Sequence, residues 1–504
     1  MKNLKIYFTS DLHGYVYPTD YVDRSQKNIG LLNIINQFEK DGNTLIIDAG
    51  DTIQGSPFTN YLSTTEFDVH PIAKIFNKAG YDYITLGNHD FNYGFDYLKK
   101  YLCNLDAKCL CANVDDKTNE LGIFPYDIKT LENGLKVGII GFTTDFINIW
   151  ERAENLANFT INDTISSIKP YYDELKGNVD VLIGVYHGGF EYDLESHKKL
   201  SETKENIAYK ICNELGFDLL LTGHQHMEIS DIDLHGTHIV QTPHNGSKFI
   251  ELNLEFDNDQ IQNVTSKLID VELSPNKEMY DKFLPLEEKV QQWLDTPVGF
   301  LDTELQPSAH LDMALSGSAL ANFINQIQLS ESGADIACTS FANVIKGFEK
   351  NVTVRDIMST YPYPNTLVVY EVNRKYLELA LERCASYFDF KDGEVTISDR
   401  FLKPKVEHYN YDYFANLNYT FDITKEVGNR VTSIVYNGKE LDHDTTLKLV
   451  MNNYRASGAG GYEFYTECKV VKEILMEMPD IIIDYFKNNT NVTVDKSKYL
   501  TVLA

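Results

Sequence analysis

Carboxylates, imidazoles and one amide follow short apolar segments throughout the first half of the chain. They are Asp11, His13, Asp51, Asn88, His187, His224 and His226. Taken singly, such an Asp is usually a helix N-cap and such a His an ordinary half-buried group. As a set without cysteine they suit Mn²⁺, Zn²⁺, Fe or Mg²⁺, and they exceed the needs of one tetrahedral ion. Two ions that share a carboxylate would use them all, which favours in-line displacement at phosphorus.

The elements that must position these residues are strands with β-branched or aliphatic sequences. Strands are predicted at 4–8, 44–47, 81–86, 136–142, 179–186 and 217–222, with amphipathic helices between them. This alternation predicts an α/β fold whose sheet is covered on both faces. Because the carboxyl ends of parallel strands meet at one edge of a sheet, we expect the polar residues to converge there. Segments 237–242 and 248–256 lack intervening helices and predict an antiparallel end to the sheet.

Five short motifs in this half resemble those of the calcineurin-like metallophosphoesterases. They are Asp11-Leu12-His13, Gly50-Asp51, Gly87-Asn88-His89-Asp90, Tyr186-His187 and Gly223-His224-Gln225-His226. Nearly the whole chain is similar to the bacterial 5′-nucleotidase and 2′,3′-cyclic-nucleotide 2′-phosphodiesterase family. Segments 9–14, 87–94, 361–367 and 452–458 carry this closer resemblance. It implies an N-terminal calcineurin-like domain, a layered α/β fold with central sheets, followed by a C-terminal α+β substrate-binding domain.

The resemblance also implies a role for each candidate ligand. One ion would be held by Asp11, His13 and His226, and the other by Asn88, His187 and His224. Asp51 would bridge the two ions. Two cations lower the pKa of a bridging water towards neutrality, so the nucleophile would be a metal-held hydroxide.

His89 is implied to be a catalytic residue rather than a ligand. It would stabilise the transition state and protonate the leaving alkoxide. In the 5′-nucleotidase branch, an Asp four residues after the metal-binding Asn orients this His. The corresponding residue here is Asn92, as in the cyclic-phosphodiesterase branch. Asp90 remains an alternative partner for His89.

The C-terminal half carries the residues implied to bind substrate. Tyr363 and Tyr454 match the two aromatic positions that sandwich the base, and Asn365 matches a position that hydrogen-bonds it. The 5′-nucleotidase branch binds the terminal phosphate through a Gly-Gly-Ile-Arg-like segment, but no Arg occurs here from Ala334 to Val354. Lys346 could replace it as a point charge but not as a bidentate fork. Since a diester carries one negative charge, this difference favours a cyclic phosphodiester.

The domain organisation is predicted from a change in the sequence pattern, where the alternating strands and helices give way to a charged, mostly helical segment. We expect a metallophosphoesterase domain at 1–273, a helical linker at 274–299 interrupted by Pro285, and a substrate-binding domain at 300–504. The last mixes helix patterns at 314–329 and 374–387 with strand patterns at 366–372, 430–436 and 446–450.

Composition and cysteine usage exclude several other classes of protein. Among 504 residues, Lys and Arg number 45 against 74 Asp and Glu, and the net charge of −29 disfavours nucleic-acid polymers and membrane surfaces. No apolar segment reaches the ~20 residues of a membrane span. Seven cysteines without a regular framework indicate reduced thiols, and Cys109 with Cys111 lacks a second pair of zinc ligands. The N-terminal segment lacks a signal-peptide core, so we expect a cytoplasmic location.

The sequence therefore predicts a hydrolase of nucleotide phosphoesters that uses two divalent ions, as in nucleotide catabolism. The main hypothesis is a 2′,3′-cyclic-nucleotide 2′-phosphodiesterase with 3′-nucleotidase activity. A 5′-nucleotidase or nucleotide-sugar hydrolase is the alternative. A catalytically silent nucleotide-binding protein is the alternative of another class.

Overall fold

The computed structural model describes residues 2–195, 197, 199, 204–363, 365–391, 393–403, 405–474, 476–489 and 491–504. The chain divides into two compact units, Met1–Gln291 and Gln292–Ala504. No helix in this described part is long and apolar enough to cross a membrane.

The strands of the first unit form two mixed sheets, in agreement with the central sheets that the resemblance implies, whereas the strand pattern alone indicated one sheet. In sheet order, the first has Gln260–Asp270, Lys248–Asp257, Lys2–Thr9, Thr44–Asp48, Tyr83–Ile84, Lys108–Leu110 and Ile123–Phe124. The second has Ile229–Leu234, Thr237–Gln241, Leu219–Thr222, Val181–His187, Lys136–Thr143 and Tyr126–Thr130. A separate pair joins Val114–Asp116 to Phe159–Ile161.

A core of alternate residues lies between the two sheets. Ile6 and Ile47 from the first sheet share one buried cluster with Ile139, Ile183 and Leu221 from the second. The opposite face of the second sheet packs on helices through another cluster. Central strands such as Thr44–Asp48 and Val181–His187 are buried along their whole length, which explains their near-continuous apolar sequences.

The helices of the first unit occupy the connections between strands. They are Leu31–Ile34, Pro57–Ser63, Pro71–Ala79, Gly94–Leu102, Ile147–Trp150, Thr164–Leu175, Ala208–Glu214 and Lys277–Leu294, with 3₁₀ turns at Ile35–Gln37 and His89–Phe91. The last α-helix reaches the division between the units and spans most of the predicted linker. The prediction that Pro285 interrupts it is wrong. Met279, Phe283, Val290 and Leu294 are buried along one face, and their burial offsets the hydrogen bond that proline removes.

The predicted antiparallel end is confirmed, since Lys248–Asp257 and Thr237–Gln241 each have an antiparallel neighbour at a sheet end. Lys248–Asp257 runs antiparallel to Lys2–Thr9. Thr237–Gln241 instead runs parallel to Leu219–Thr222, because the hairpin from Ile229–Leu234 returns the chain in that direction. The strand periodicity alone carries no information about such a reversal.

The second unit combines small sheets with helices, as an α+β domain does. The largest sheet has, in order, Tyr413–Ala415, Ile336–Thr339, Thr446–Asn452, Leu367–Asn373 and Lys469–Ile474, and a four-stranded sheet has Lys439–Glu440, Val431–Tyr436, Asn418–Asp422 and Leu500–Leu503. A three-stranded sheet has Asn351–Thr353, Pro297–Leu301 and Asn491–Val492. Phe388–Lys391 pairs with Glu394–Ile397. Its α-helices are His310–Ser316, Ala319–Ser332, Val354–Thr360, Arg374–Ala385, Asn453–Ala456 and Met478–Asn488. The 3₁₀ turns are Asp399–Phe401, His408–Asn410 and Glu463–Glu467.

The helix predicted at 314–329 is two helices in the structure. Gly317 ends the first with a φ of 84°, and the Ser318 side chain caps the second by accepting from the Ala321 N–H. Glycine favours the end of a helix and serine favours the start of one. The chain therefore breaks the helix at these two residues although the apolar pattern continues across them.

Candidate metal centre

All seven predicted ligands lie together where strands of the first unit's two sheets end. Asp11 and Asp51 come after Lys2–Thr9 and Thr44–Asp48 of the first sheet, and His187 ends Val181–His187 of the second. Ligand atoms of these residues form two groups, each with its atoms within 4.8 Å of one another. One group is Asp11, His13 and His226, and the other is Asp51, His187 and His224.

The first group brings two imidazoles to one carboxylate. The Nε2 atoms of His13 and His226 are 3.2 Å apart. The Asp11 Oδ1 atom lies 3.3 Å from His226 Nε2 and 3.9 Å from His13 Nε2. The other ring nitrogen of His13 faces the Gln54 carbonyl oxygen at 3.1 Å, which leaves Nε2 for the centre.

The second group is built around a buried histidine. His187 Nε2 lies 3.1 Å from Asp51 Oδ2 and 3.2 Å from Asn88 Oδ1, while its Nδ1 faces the Ala49 carbonyl oxygen at 2.7 Å. The Asn88 Oδ1 atom is also 2.9 Å from His224 Nδ1. Asn88 therefore joins the Asp51, His187 and His224 group through its amide oxygen.

The backbone of the centre adopts a costly conformation. Positive φ angles occur at five of the predicted ligands: Asp11 (55°), His13 (47°), Asp51 (54°), His224 (72°) and His226 (57°). Left-handed geometry is uncommon for any residue other than glycine, and it clusters at functional sites. These turns follow the strand ends and carry all five side chains into one cluster.

Hydrogen bonds between the loops hold these turns in place. The Asp11 N–H donates to the Gly50 carbonyl oxygen at 2.9 Å, and the His13 N–H donates to the Asp51 carbonyl oxygen at 2.8 Å. Gly50 has a φ of 91°, and a Cβ atom there would lie 2.2 Å from the Gly87 nitrogen. Only glycine permits so close an approach of the two loops.

The Asp90 carboxylate organises the same loops from within. It accepts backbone N–H groups of Asp51, Thr52, Ile53 and Gly87 at 2.8–3.1 Å. Its burial raises the pKa of this carboxyl, with the Asp51 charge as a further cause. Since both oxygens are occupied by backbone donors, Asp90 is not the partner of His89.

The partner of the His89 ring is Asn92. The two residues meet at 2.8 Å between His89 Nδ1 and Asn92 Oδ1, while the Asn92 Nδ2 atom donates to the Glu151 carboxylate. The His89 backbone N–H donates to Asp51 Oδ1 at 2.7 Å. His89 is thus joined to a candidate ligand through its backbone and to Asn92 through its ring.

The electrostatics of the centre depend on which groups are paired. Burial alone would lower the pKa of His187, but the Asp51 carboxylate raises it to about 10. Burial lowers the pKa of His13 to about 4, against the opposing charge of Asp51. In the metal-free chain His187 and Asp51 therefore form a buried ion pair, whereas His13 stays neutral.

This donor set fits divalent metal ions. It offers carboxylate oxygens, an amide oxygen and imidazole nitrogens, with no thiolate. The Nε2 atoms of His13 and His226 lie 3.2 Å apart, and two neutral imidazole nitrogens at this separation can bind one cation. Because imidazole ligands must be neutral, metal binding at His187 would release a proton.

Glu205 is a site residue that the sequence did not reveal. Its Oε1 atom lies 2.9 Å from Nε2 of His224, the ring nitrogen opposite Asn88. Carboxylates commonly orient a ligating histidine in this way. Glu205 belongs to an irregular segment without strand or motif, so no periodicity marked it.

The cysteines take no part in the centre. All seven thiols are free, as expected for a reduced protein, and Cys109 and Cys111 are both buried. Burial raises the pKa of the Cys111 thiol to about 12, which opposes the thiolate form that a metal would need.

The predicted substrate residues belong to the second unit. Tyr363 is 39 % exposed, and Tyr454 lies in the short helix Asn453–Ala456, 6.4 Å from Tyr409 between ring centroids. Asn365 accepts the Met478 N–H on its backbone oxygen at 2.8 Å. Tyr363 is thus exposed on a turn, whereas Tyr454 is half-buried in a short helix.

The short helix that contains Tyr454 is anchored by a buried ion pair. The Arg455 Nε atom lies 2.8 Å from Asp412 Oδ2, and both side chains are buried. The Arg455 guanidinium also lies 3.9 Å from the centroid of the Tyr462 ring. Arg455 thus fixes the backbone next to Tyr454 from beneath.

Each half of the chain matches a model of a known protein family. A family model described as calcineurin-like phosphoesterase matches residues 4–228, and one described as 5′-nucleotidase, C-terminal domain matches residues 297–467. A solved structure of a Staphylococcus aureus protein assigned as a 5′-nucleotidase, in complex with α-ketoglutarate, is 33 % identical. It covers 100 % of both chains with a TM-score of 0.92.

Two curated relatives add functional descriptions. The 2′,3′-cyclic-nucleotide 2′-phosphodiesterase/3′-nucleotidase of Salmonella typhimurium is 26 % identical over 90 % of this chain and 81 % of its own length. The trifunctional nucleotide phosphoesterase protein YfkN of Bacillus subtilis is 25 % identical over 96 % of this chain. The match spans only 38 % of the length of the Bacillus protein.

Proposed function

This chain belongs to the 5′-nucleotidase family of calcineurin-like metallophosphoesterases, and from that premise we propose that it hydrolyses 2′,3′-cyclic nucleotides and 3′-nucleotides. It is a metal-dependent phosphoester hydrolase, and its relatives are named for nucleotide substrates. The preference for a cyclic diester is the part that we propose.

The observation that supports this preference is the ion pair between Lys346 and Asp356. Its Nζ atom lies 2.8 Å from Oδ1 of Asp356, whose other oxygen caps the helix Val354–Thr360. The positive charge of Lys346 is thus already paired with a buried carboxylate. In the segment where the 5′-nucleotidase branch supplies an Arg fork, Lys346 is therefore not available to neutralise a dianionic monoester, and neither Lys346 nor Lys350 can form a bidentate fork.

Five of the six arginines in the second unit have structural partners, and the sixth, Arg400, is exposed in the 3₁₀ turn Asp399–Phe401. Arg355 pairs with Asp295, Arg374 with Glu378 and Glu440, and Arg455 with Asp412. Arg383 and Arg430 donate to backbone carbonyl oxygens. A substrate with a single negative charge needs no further bidentate clamp, so these contacts support the cyclic diester.

The proposed ligand assignment follows the geometry of the centre. Asp11, His13 and His226 would hold one ion, Asn88, His187 and His224 the other, and Asp51 would lie between the two ions. Once bound, Mn²⁺, Zn²⁺, Fe or Mg²⁺ supplies an activated water and neutralises charge on the phosphoryl oxygens.

The chain's own residues complete the proposed reaction. His89 would donate a proton from Nε2 to the departing ribose oxygen, since its Nδ1 atom is held by Asn92. Tyr363 and Tyr454 would stack on the base, a contact that tolerates any base, and Asn365 would hydrogen-bond it. A nucleotide, rather than an arbitrary phosphodiester, would then be the natural substrate.

The test is a comparison of kcat/KM for 2′,3′-cyclic AMP, 3′-AMP and 5′-AMP at one pH and one Mn²⁺ concentration. We expect the cyclic nucleotide to exceed 5′-AMP by roughly tenfold to a hundredfold, since one charge-assisted contact contributes about 1.5–3 kcal/mol. Lys346→Ala should leave this ratio nearly unchanged. If 5′-AMP were the better substrate and Lys346→Ala reduced its turnover, the 5′-nucleotidase alternative would replace the proposal.

The 33 % identical Staphylococcus aureus protein, assigned as a 5′-nucleotidase, is the observation that favours this alternative. The same assay tests the non-enzymatic alternative. Absence of turnover on every substrate, with both ions bound, would indicate a nucleotide-binding protein.

A further inference from the structure

A chain of hydrogen bonds connects the His89 ring to the carboxylate of Glu151. His89 Nδ1 meets Asn92 Oδ1 at 2.8 Å, and Asn92 Nδ2 donates to Glu151 Oε2. The orientation of the Asn92 amide follows from its neighbours, because the reversed amide would place its oxygen against a carboxylate oxygen. An amide oxygen can only accept, so the proton of the His89 ring is on Nδ1.

Glu151 is itself fixed by donors on its second oxygen. Its Oε1 atom accepts the Arg152 N–H at 2.7 Å and the Asn155 Nδ2 at 2.8 Å. Asn155 Nδ2 also donates to the Asn92 carbonyl oxygen at 3.0 Å. Asn92, Arg152 and Asn155 each donate to the Glu151 carboxylate, and a side chain with two acceptor oxygens satisfies all three donors.

We propose that Glu151 is a positioning residue that acts through Asn92 to hold the Nδ1–H of the His89 ring, so that a proton carried on Nε2 passes to the leaving oxygen and leaves the ring in the Nδ1–H tautomer. This inference rests on the proposed role of His89. Asn92 carries no charge, and Glu151 supplies one at the far side of the amide. The carboxylate polarises the amide, which strengthens the hydrogen bond that the Asn92 oxygen accepts from the His89 ring.

The first test replaces Glu151 by Gln. The side-chain amide has one acceptor oxygen, so it can satisfy either Asn92 or the Arg152 and Asn155 donors, and the other side becomes a contact between two donors. Asn92 then loses its fixed orientation. Glu154→Gln is the matched control, since it removes the same charge three residues away without a contact to the Asn92 side chain.

The substrates are aryl phosphodiesters whose phenols range from acidic to weakly acidic. These esters need no base recognition, so a failure of the proposed nucleotide preference would not affect the result. We expect Glu151→Gln to lose about 10- to 100-fold in kcat on the least acidic phenol and little on the most acidic one. Glu154→Gln should match the parent on both. Equal losses of Glu151→Gln on both esters would overturn the proposal.

A second variant tests whether the three residues act as one unit. In Asn92→Asp with Glu151→Gln, the carboxylate at position 92 accepts from His89 and from the new amide. The amide oxygen at position 151 then accepts from Arg152 and Asn155, so every donor is satisfied again. We expect kcat on the least acidic phenol to return to within about threefold of the parent. A double variant no better than Glu151→Gln would contradict the relay.

The tautomer can be read without any turnover. In protein labelled with ¹⁵N-histidine, we expect the parent and Glu154→Gln to show His89 with its proton on Nδ1, identified by its absence in His89→Gln. Glu151→Gln should show a mixture of tautomers, and the double variant should restore the single form. An unchanged tautomer in Glu151→Gln would show that Glu151 has no positioning role.

Discussion

The candidate metal centre and the candidate base-binding residues differ in how firmly they are held. Asp11, Asp51 and His187 are almost completely buried, and hydrogen bonds fix the loops that carry them. Tyr363, by contrast, is 39 % exposed on a turn. Bond making requires geometry within fractions of an ångström, whereas stacking on a base tolerates displacement. The first unit therefore has a strained backbone that positions its candidate ligands. The second unit presents tyrosine rings, and their position needs less precision.

The largest effect is expected at the residue on which the first unit's geometry converges. Asp51→Asn should reduce kcat by about 10⁴-fold or more, because the carboxylate that contacts His187 and accepts the His89 N–H loses its charge. Bound metal should fall below two ions per chain, as measured by elemental analysis. The melting temperature tests whether the fold persists. Full activity with two bound ions would show that the centre does not depend on Asp51.

His89→Ala separates proton donation from metal binding. We expect two bound ions and a loss of about 10²–10⁴-fold in kcat on nucleotides, whose leaving alkoxide needs a proton. An activated aryl ester should lose much less, since its phenolate departs unprotonated. Steady-state kinetics on the two substrates measures the difference. Equal losses on both would make His89 an electrostatic stabiliser instead.

Removing either ring of the base-binding pair tests the second unit. Tyr363→Ala and Tyr454→Ala should each raise KM for nucleotides about tenfold, because one stacked face contributes about 1–3 kcal/mol. Hydrolysis of bis(p-nitrophenyl) phosphate should be nearly unchanged.

Conservative and remote variants are the controls for this pair. Tyr363→Phe and Tyr454→Phe keep the stacking face and should keep the parent KM. Phe390→Ala removes another exposed ring of the same unit and should have no effect on KM. If the alanine variants lost activity equally on nucleotides and on bis(p-nitrophenyl) phosphate, the tyrosines would be packing residues.

The smallest expected effect concerns a histidine of the first unit that lies outside the centre. His70 is fully buried among Phe67, Tyr97 and Tyr101, and neither ring nitrogen has a hydrogen-bond partner among the described residues. Burial lowers its pKa from 6.5 to about 3. The unfolded chain therefore binds a proton below pH 6.5 that the folded chain does not, and stability falls as pH falls.

His70→Phe removes this pH dependence. Relative to the parent, the variant should gain about 2 kcal/mol in the free energy of unfolding between pH 7.5 and pH 5. Melting temperatures of both proteins at the two pH values measure the gain. A constant difference across this range would show that His70 is protonated in the fold.

The ease of prediction from sequence differs in the same way between the two units. The proximity of the candidate ligands could be predicted because each lies at or after the end of a strand, and strand ends are readable from local apolar patterns. The division into two sheets could not be predicted from the strand pattern, because Ile139 and Ile47 belong to equally apolar segments and only packing separates them. Glu205 and Glu151 lie in irregular segments, and their roles depend on contacts distant in sequence. The roles of Tyr363 and Tyr454 remain predictions from resemblance.

The left-handed backbone at Asp11, His13, Asp51, His224 and His226 has an evolutionary consequence. Each such residue costs about 1–2 kcal/mol relative to a conformation that suits its side chain, and glycine would relieve most of that cost. A lineage released from catalysis would therefore gain stability by drifting to glycine at these positions. All five still carry acids and imidazoles, which is the outcome expected where natural selection for turnover outweighs selection for stability.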